Sequence, residues 1–545
     1  MNRRDFLTVP APVANKRSRD RGLAARRGDG SQVPAVHARR SNTGLAPYAG
    51  PWTYTQAAHL MRRAMVGPRD SEIRAAVTAG MHNTIELLMA PFTPDLAMIS
   101  DFAGVDPQVR PPRDQTSPEY ALFQQNLQQR RELIARWQIR TIANSPVSIQ
   151  ERMVLMWSNH FTSETQVVNF SEFMYWQNNR IRQHALGNFK DFTRAITKDM
   201  AMLIYLDGIK SFKTGQRGNI NENYSRELME LFTMGVSDWN NTPNYTETDV
   251  AEGARALTGY IMTQSTKGID YVGLNSAFEP TRWDNGQKTY LGRTGAHNAD
   301  NIIDIIFEQR ADQTAKYVCE KIYRAFVYDV PDRVVIAEMA TKFRDSNWQI
   351  APVVDQLLKS EHFYDETNIG ALDKSPIDYL VGMVRGLALG AVPDFVVGQT
   401  NRFTRDLTNR LSTLGQLVFD PPNVKGWPGG RTWISTSTIA PRQKFALDVI
   451  DEKLVGQNRA KIYTFDVAAF AKSFSDFDDA EVLIDDISQY LLNTVPSSAE
   501  RASLLATMLN GSPVYEWPQV EESQRVDRVK LMLKALFVLA KFQLT

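Results

Sequence analysis

Apolar residues recur every three or four positions from Tyr54 onward, as in Ala57, Leu60, Met61 and Ala64 or across Leu122–Ile142, and this spacing predicts half-buried helices through most of the chain. The 545 residues, 43% hydrophobic and 23% charged, have the composition of a globular protein that can bury large cores. The expectation is a mainly α, multi-helical globular protein. One stretch breaks the pattern: Ile269–Gly292 holds the turn tripeptide Asp284-Asn285-Gly286 between Phe278 and Tyr290, which predicts a short β-hairpin insertion. Helical texture resumes at Ile302–Val327, Val334–Phe343 and Pro376–Leu389. The chain closes on an amphipathic helix through Val529, Met532, Leu536 and Leu539.

Charge divides the chain unevenly. Residues 1–45 carry ten Lys or Arg against Asp5, Asp20 and Asp29, lack hydrophobic periodicity and read as a flexible basic leader. Residues 46–450 form the main helical domain and 451–545 a C-terminal helical region. The folded part is mildly acidic, which argues against nucleic acid as a partner. Met1–Leu7, with its Arg3-Arg4 pair, resembles a twin-arginine export signal. Pro10, Pro12 and Lys16-Arg17 leave it without a proper apolar segment, so export to the periplasm or beyond stands beside a cytoplasmic alternative. No apolar run reaches the ~18 residues of a transmembrane helix. The lone Cys319 excludes an internal disulfide. Pro107–Pro118, rich in proline and charge, reads as a surface loop or a lid.

Two helical segments concentrate the chemistry. In the first, Asn221 can cap the N-terminus, Tyr224, Leu228, Leu231 and Phe232 form an apolar stripe, and Gly235 suits the position after the last turn. Its polar side presents Glu222, Asn223, Arg226, Glu227 and Glu230; Glu227 and Glu230, one turn apart, can share a metal or a proton. The second opens with Thr246 and Asp249 at capping-box spacing, turns Val250, Ala254 and Leu257 inward and admits close approach at Gly253. If the two pack as an antiparallel pair, Glu227, Glu230, Asp249 and Glu252 converge with Arg226 and Arg255. Such a cluster either holds a hard divalent cation, Ca²⁺ or Mg²⁺, or sets one raised-pKa acid beside an ionised one for hydrolysis. It reads equally as an Arg–carboxylate network fixing two helices in register.

His160 ends a helix as a candidate base or ligand, with a hydrogen-bonded structural role as the alternative; His59 and His184 read as structural. Asp420–Trp433 is too rich in Pro and Gly for a helix. Its Trp427 and Trp433 form either a stacking platform for a ligand or an anchor that buries the loop. No HExxH, GxSxG, P-loop or dinucleotide motif accompanies these residues.

Asn219–Val236, followed by Tyr245–Val250 and Ala254–Gly259, resembles the core signature of the DUF1800 family, a domain of unknown function. Further matches are His59–Arg63, Trp157–Thr162, Arg182–Phe189, Ala201–Asp207, Lys288–Gly292, Gly426–Gly430 and Trp433, in unbroken order across roughly residues 55–445. The resemblance implies a largely helical bacterial protein, often exported and often encoded beside a sulfatase-like partner, with no activity assigned. This chain departs from it at Phe232 and Trp283, where many members carry histidine; a family metal site built on those imidazoles would be absent here. Two functions remain open. One is an exported metal- or carboxylate-dependent hydrolase using Glu227 and Glu230 as ligands or acid and base, Asp249 and Glu252 as supporting carboxylates and His160 as a base. The other is a non-catalytic binding or assembly protein that works with the sulfatase-like partner or on a surface polymer.

Overall fold

The computed structural model describes residues 44–92, 114–213, 219–262, 276–389, 402–454 and 461–545. These belong to one compact unit, Ser41–Thr545. The leader up to residue 43 and most of the loop expected at Pro107–Pro118 lie outside the described residues.

The protein is mainly α. The elements used below, numbered along the chain, are α1 (Tyr54–Ala64), α2 (Pro118–Ala143), α3 (Gln150–His160), α4 (Ser171–His184), α5 (Phe189–Thr197), α6 (Asn223–Glu230), α7 (Glu247–Ala256), β1 (Tyr260–Met262), β2 (Ser276–Phe278), β3 (Lys288–Tyr290), β4 (Arg293–Gly295), α8 (Ala299–Gln309), α9 (Ala311–Phe326), α10 (Arg333–Asp345), α11 (Pro376–Gly386), α12 (Thr436–Ile450), α13 (Ala480–Leu491) and α14 (Glu522–Phe537).

Helix α9 shows how the apolar period becomes a core. Thr314, Ala315, Val318, Cys319, Ile322, Tyr323 and Phe326 recur at helical spacing and are wholly buried, so one full stripe faces inward. It packs on α10, which starts where Asp332 accepts the N–H groups of Val334 (2.9 Å) and Val335 (3.3 Å). Each large apolar side chain buried in this way contributes about 1.5–3 kcal/mol. Helix α3 packs on α4, α5 on α8, α6 on α7, and α12 on α14. The C-terminal helices thus lie against elements of the main domain and close the same core.

Polar residues tie the central helices together. Arg182 of α4 donates to Glu151 of α3 at 2.6 Å and to Asn178 and Asn179 at 2.9 and 2.7 Å, while Gln138 of α2 donates to Glu151 at 3.0 Å. With both charged side chains under 5% exposed, this pair survives burial only because its remaining donors and acceptors are met.

The β-insertion is present, with a different turn. Among the described residues the sheets are two short antiparallel pairs, β1 with β2 and β3 with β4. Phe278 pairs with Tyr260, and Tyr290 pairs with Arg293 across Leu291-Gly292. Both turn residues have positive φ, 46° and 83°, as a tight two-residue hairpin turn requires. Asp284-Asn285-Gly286 makes a local turn instead, because the Asp284 carboxylate accepts the Gly286 N–H (2.9 Å) and the Arg255 guanidinium (2.8 Å). No helix among the described residues is long and apolar enough to cross a membrane.

Candidate functional site

The α6–α7 pair forms as its sequence dictates. The Asn221 side chain accepts the Asn223 N–H (2.9 Å), Tyr224, Leu228 and Phe232 point into the core, and Gly235 ends the segment at φ 76°. Thr246 and Asp249 make the expected capping box, and a Cβ at Gly253 would stand 2.4 Å from the Ser225 hydroxyl, so only glycine lets the helices approach this closely.

The charged residues of this pair separate into two groups. Arg226 clasps Glu247 through both terminal nitrogens (2.9 and 2.7 Å), with Glu222 and Glu230 farther off at 3.6 and 3.9 Å. The hydrogen bonds to Arg226 pull the Glu247 carboxyl below its ordinary range. Arg255 bridges Glu252 and Asp284, each at 2.8 Å. Asp249 joins neither group: one oxygen caps Thr246 and the other accepts the Leu291 N–H at 2.7 Å. The Arg–carboxylate contacts therefore fasten α7 to α6 on one side and to the segment after β2 on the other.

His160 stands beside a residue the sequence reading missed, Tyr317 of α9. Tyr317 of α9 feels the charges of Glu227 and Glu230, and its ring centroid lies 6.5 Å from that of His160. Burial first, then Glu320, Glu227 and Glu230, raise the Tyr317 hydroxyl above its ordinary pKa and keep it protonated. A Cβ at Gly235 would meet this ring at 2.9 Å. Lys321, one turn along α9, holds its ammonium 5.1 Å from the Tyr317 ring centroid, and burial lowers its pKa. Glu230 is fixed from outside by the Tyr245 hydroxyl, which donates to it.

His160 is buried beside Tyr317. Its Nε2–H donates to the Phe232 carbonyl at 3.1 Å, so Nδ1 carries the free lone pair; that atom is buried and has no hydrogen-bond partner. Burial and the nearby Lys321 charge push the imidazole down to about 3, so it is neutral at physiological pH. The aromatic rings of Trp157, Phe161, Phe189 and Phe232 surround it. His59 and His184 are structural: His59 bonds the Phe363 carbonyl at 3.0 Å and His184 stacks on Phe192.

The Gly-rich loop reaches the same region through α3. Asn159, next to His160, accepts the Trp427 N–H (2.7 Å) and donates to the Trp427 carbonyl (3.1 Å). Gly426 at φ 78° permits this, since a Cβ there would stand 2.1 Å from the Asn159 oxygen. Trp433 is buried and holds the start of α12 through its carbonyl, which accepts from Thr438 at 2.9 Å. The buried Nε1 of Trp427 has no partner.

Phe232 occupies one position where the resemblance places histidine, 6.1 Å from the His160 ring; Trp283 occupies the other and lies under the Lys288 ammonium, 5.2 Å from its centroid. Among the described residues no three His, Cys, Asp or Glu side chains gather as a metal would need. Glu230 is engaged by Tyr245 and faces Arg226, which leaves Glu227 and Glu230 a poor pair for a hard cation.

The arrangement offers a buried neutral imidazole acceptor, a protonated phenol, a desolvated lysine and two carboxylates. The signal for Tyr317 and Lys321 in the sequence is only their spacing of four on one helix face. Neither a comparison with curated proteins nor one with solved structures returned a match. A family model described as "Protein of unknown function (DUF1800)" matches residues 59–544, continuing through the C-terminal helices beyond the last recognisable motif. The chain belongs to the DUF1800 family.

Proposed function

We propose that the protein is a carboxylate-dependent hydrolase whose reacting groups surround Tyr317. The observation that carries this reading is that the His160 ring and the Lys321 ammonium flank the Tyr317 ring, 6.5 and 5.1 Å from its centroid, while the Glu227 charge acts on the Tyr317 hydroxyl. In this reading Glu227 takes a proton from the attacking water and the hydroxide adds to the substrate's electrophilic centre. Lys321, its pKa lowered by burial, gives a proton to the leaving group. Tyr317 stays protonated and donates to the developing negative oxygen, while His160 Nδ1 accepts a hydrogen bond from substrate. Asp249, Glu252, Arg226 and Arg255 hold the frame. Trp427, tied to Asn159, supplies an aromatic edge for the substrate.

The test is a panel of chromogenic esters, glycosides, phosphoesters and peptides, run on the wild type, Glu227→Gln and Tyr317→Phe. The expected result is turnover of one class, reduced at least about 100-fold in Glu227→Gln with an unchanged melting temperature. No turnover in any class, or equal turnover in all three proteins, overturns the reading.

One observation favours the second function: the ion pairs Arg226–Glu247 and Arg255–Asp284 are closed, as a binding or assembly protein needs and a cluster awaiting substrate does not. That function predicts co-purification of a sulfatase-like protein, or binding to a surface polymer, by the catalytically silent variants as well. Export through the Arg3-Arg4 leader is part of both proposals; retention of the full chain in the cytoplasm on fractionation would remove it.

A further inference from the structure

Two Asn-Gly pairs stand in the chain, Asn285-Gly286 and Asn510-Gly511. Such a pair can modify itself: the backbone nitrogen of the second residue attacks the side-chain amide carbon of the first, and glycine, having no Cβ, leaves the approach open. Both asparagines are exposed, so exposure does not separate them. The state of the glycine nitrogen does.

At Asn285 that nitrogen is occupied. The Gly286 N–H donates to the Asp284 carboxylate at 2.9 Å, and Arg255 holds the same carboxylate at 2.8 Å. Lys288 fixes the glycine from its other end, donating to the Gly286 carbonyl at 2.9 Å. To act as a nucleophile the nitrogen must lose its proton, and a carboxylate beside it opposes the negative charge that results.

At Asn510 it is free. Asn510 ends the helix Ser498–Leu509 in the left-handed conformation, φ 50° and ψ 43°, with its own N–H on the Ala506 carbonyl at 3.0 Å. Gly511 follows at φ 86°, and no atom lies within 4 Å of where a Cβ would stand. Among the described residues, neither the Gly511 N–H nor the Asn510 side chain makes a hydrogen bond. Turning the Asn510 Cα–C bond to bring the nitrogen to the amide carbon costs one backbone hydrogen bond, from the Ser512 N–H to the Leu509 carbonyl at 3.1 Å. It lies at a helix end, where local opening is easiest.

We propose that Asn510 is a site of spontaneous deamidation, converting to aspartate and isoaspartate in the folded protein while Asn285 is protected. The Gly511 nitrogen gives up its proton and bonds to the Asn510 Cγ; the bond from Cγ to the side-chain nitrogen breaks, and ammonia leaves with that proton. Water then opens the five-membered succinimide, at one carbonyl to give aspartate and at the other to give isoaspartate. Either product sets a carboxylate between the two residues that Arg528 of α14 holds, the Leu509 carbonyl at 3.1 Å and the Ser512 hydroxyl at 3.4 Å. The reaction thus adds an acid at the turn that leads to the C-terminal helix, where a guanidinium is already tied. It is independent of the groups around Tyr317.

The test is incubation of the full chain in mildly alkaline buffer made with heavy-oxygen water, followed by trypsin digestion in ordinary water. Trypsin releases Asn285 in the peptide 283–288 and Asn510 in the peptide 502–525. Deamidation during digestion adds about 1 Da, and deamidation in the folded protein about 3 Da, because the water that opens the ring is then labelled. The expected result is label at Asn510 at least about tenfold faster than at Asn285, with the two rates converging in urea, where Gly286 loses its partner. Asn510→Gln, whose extra methylene disfavours the ring, should remove the label from 502–525. No label at Asn510, label at Asn285 as fast, a difference of the same size in urea, or label that survives Asn510→Gln overturns the proposal.

Discussion

Asp249 accepts the backbone N–H of Leu291 at 2.7 Å, forty-two residues away, while its second oxygen accepts the Thr246 N–H at 2.9 Å. One carboxylate therefore caps α7 and holds a hairpin turn whose first residue is a leucine at φ 46°. Asp249→Ala should remove a cap, at about 0.5–2 kcal/mol, and orphan a buried N–H, at about 1–3 kcal/mol. The expected sum is about 1.5–5 kcal/mol in denaturant unfolding. A loss below about 1 kcal/mol would show that the turn holds itself.

Arg182→Met leaves Glu151 buried without its cation and should destabilise the protein by about 3–5 kcal/mol. The double variant Arg182→Met with Glu151→Leu is expected to recover much of that loss, because neither charge of the pair then remains buried. Urea unfolding of the three proteins measures the difference; a double variant no better than the single one contradicts this account of the pair.

Gly430 sits at φ 54°, and a Cβ there would stand 2.1 Å from an Asp329 oxygen. Gly430→Ala should therefore displace the loop that carries Trp427 and Trp433, with a red-shifted tryptophan emission and faster proteolysis between residues 420 and 435. The companion Gly429→Ala meets no atom and carries only the backbone strain of φ 76°, ψ −169°, a region that glycine alone adopts readily, about 1–3 kcal/mol. Equal effects from the two would mean that the contact with Asp329 is unimportant.

His160 is held near a pKa of about 3, against an ordinary 6.5. Between those values the unfolded chain binds a proton that the folded imidazole refuses, so the stability contributed above pH 6.5 is lost as pH falls toward 3. The expected slope is about 1.4 kcal/mol per pH unit. His59, lowered mainly by burial and then by Arg63, adds to the acid sensitivity. His160→Gln should flatten the acid limb of the stability profile by close to one proton, and an unchanged slope would mean that the imidazole is solvated.

What the sequence made legible was local. The apolar stripe of α6, the capping box of α7 and the close approach at Gly253 depend on residues a few positions apart, and each forms as its spacing implies. The turn at Asp284 misled because an Asp-Asn-Gly run satisfies a local loop as readily as a hairpin, and the Arg255 bond settled which. Glu227 and His160 could be named in advance, yet not the place of Tyr317 beside the His160 ring, since about 157 residues separate the two and no period relates them.

The grip of Arg62 on the carbonyls of Gln489 and Leu492 spans more than 400 residues. The first described helix is thus fastened to one made more than 400 residues later, and a nascent chain must wait that long to complete the contact. Until α13 emerges the apolar face of α1 is a surface for chaperones to guard.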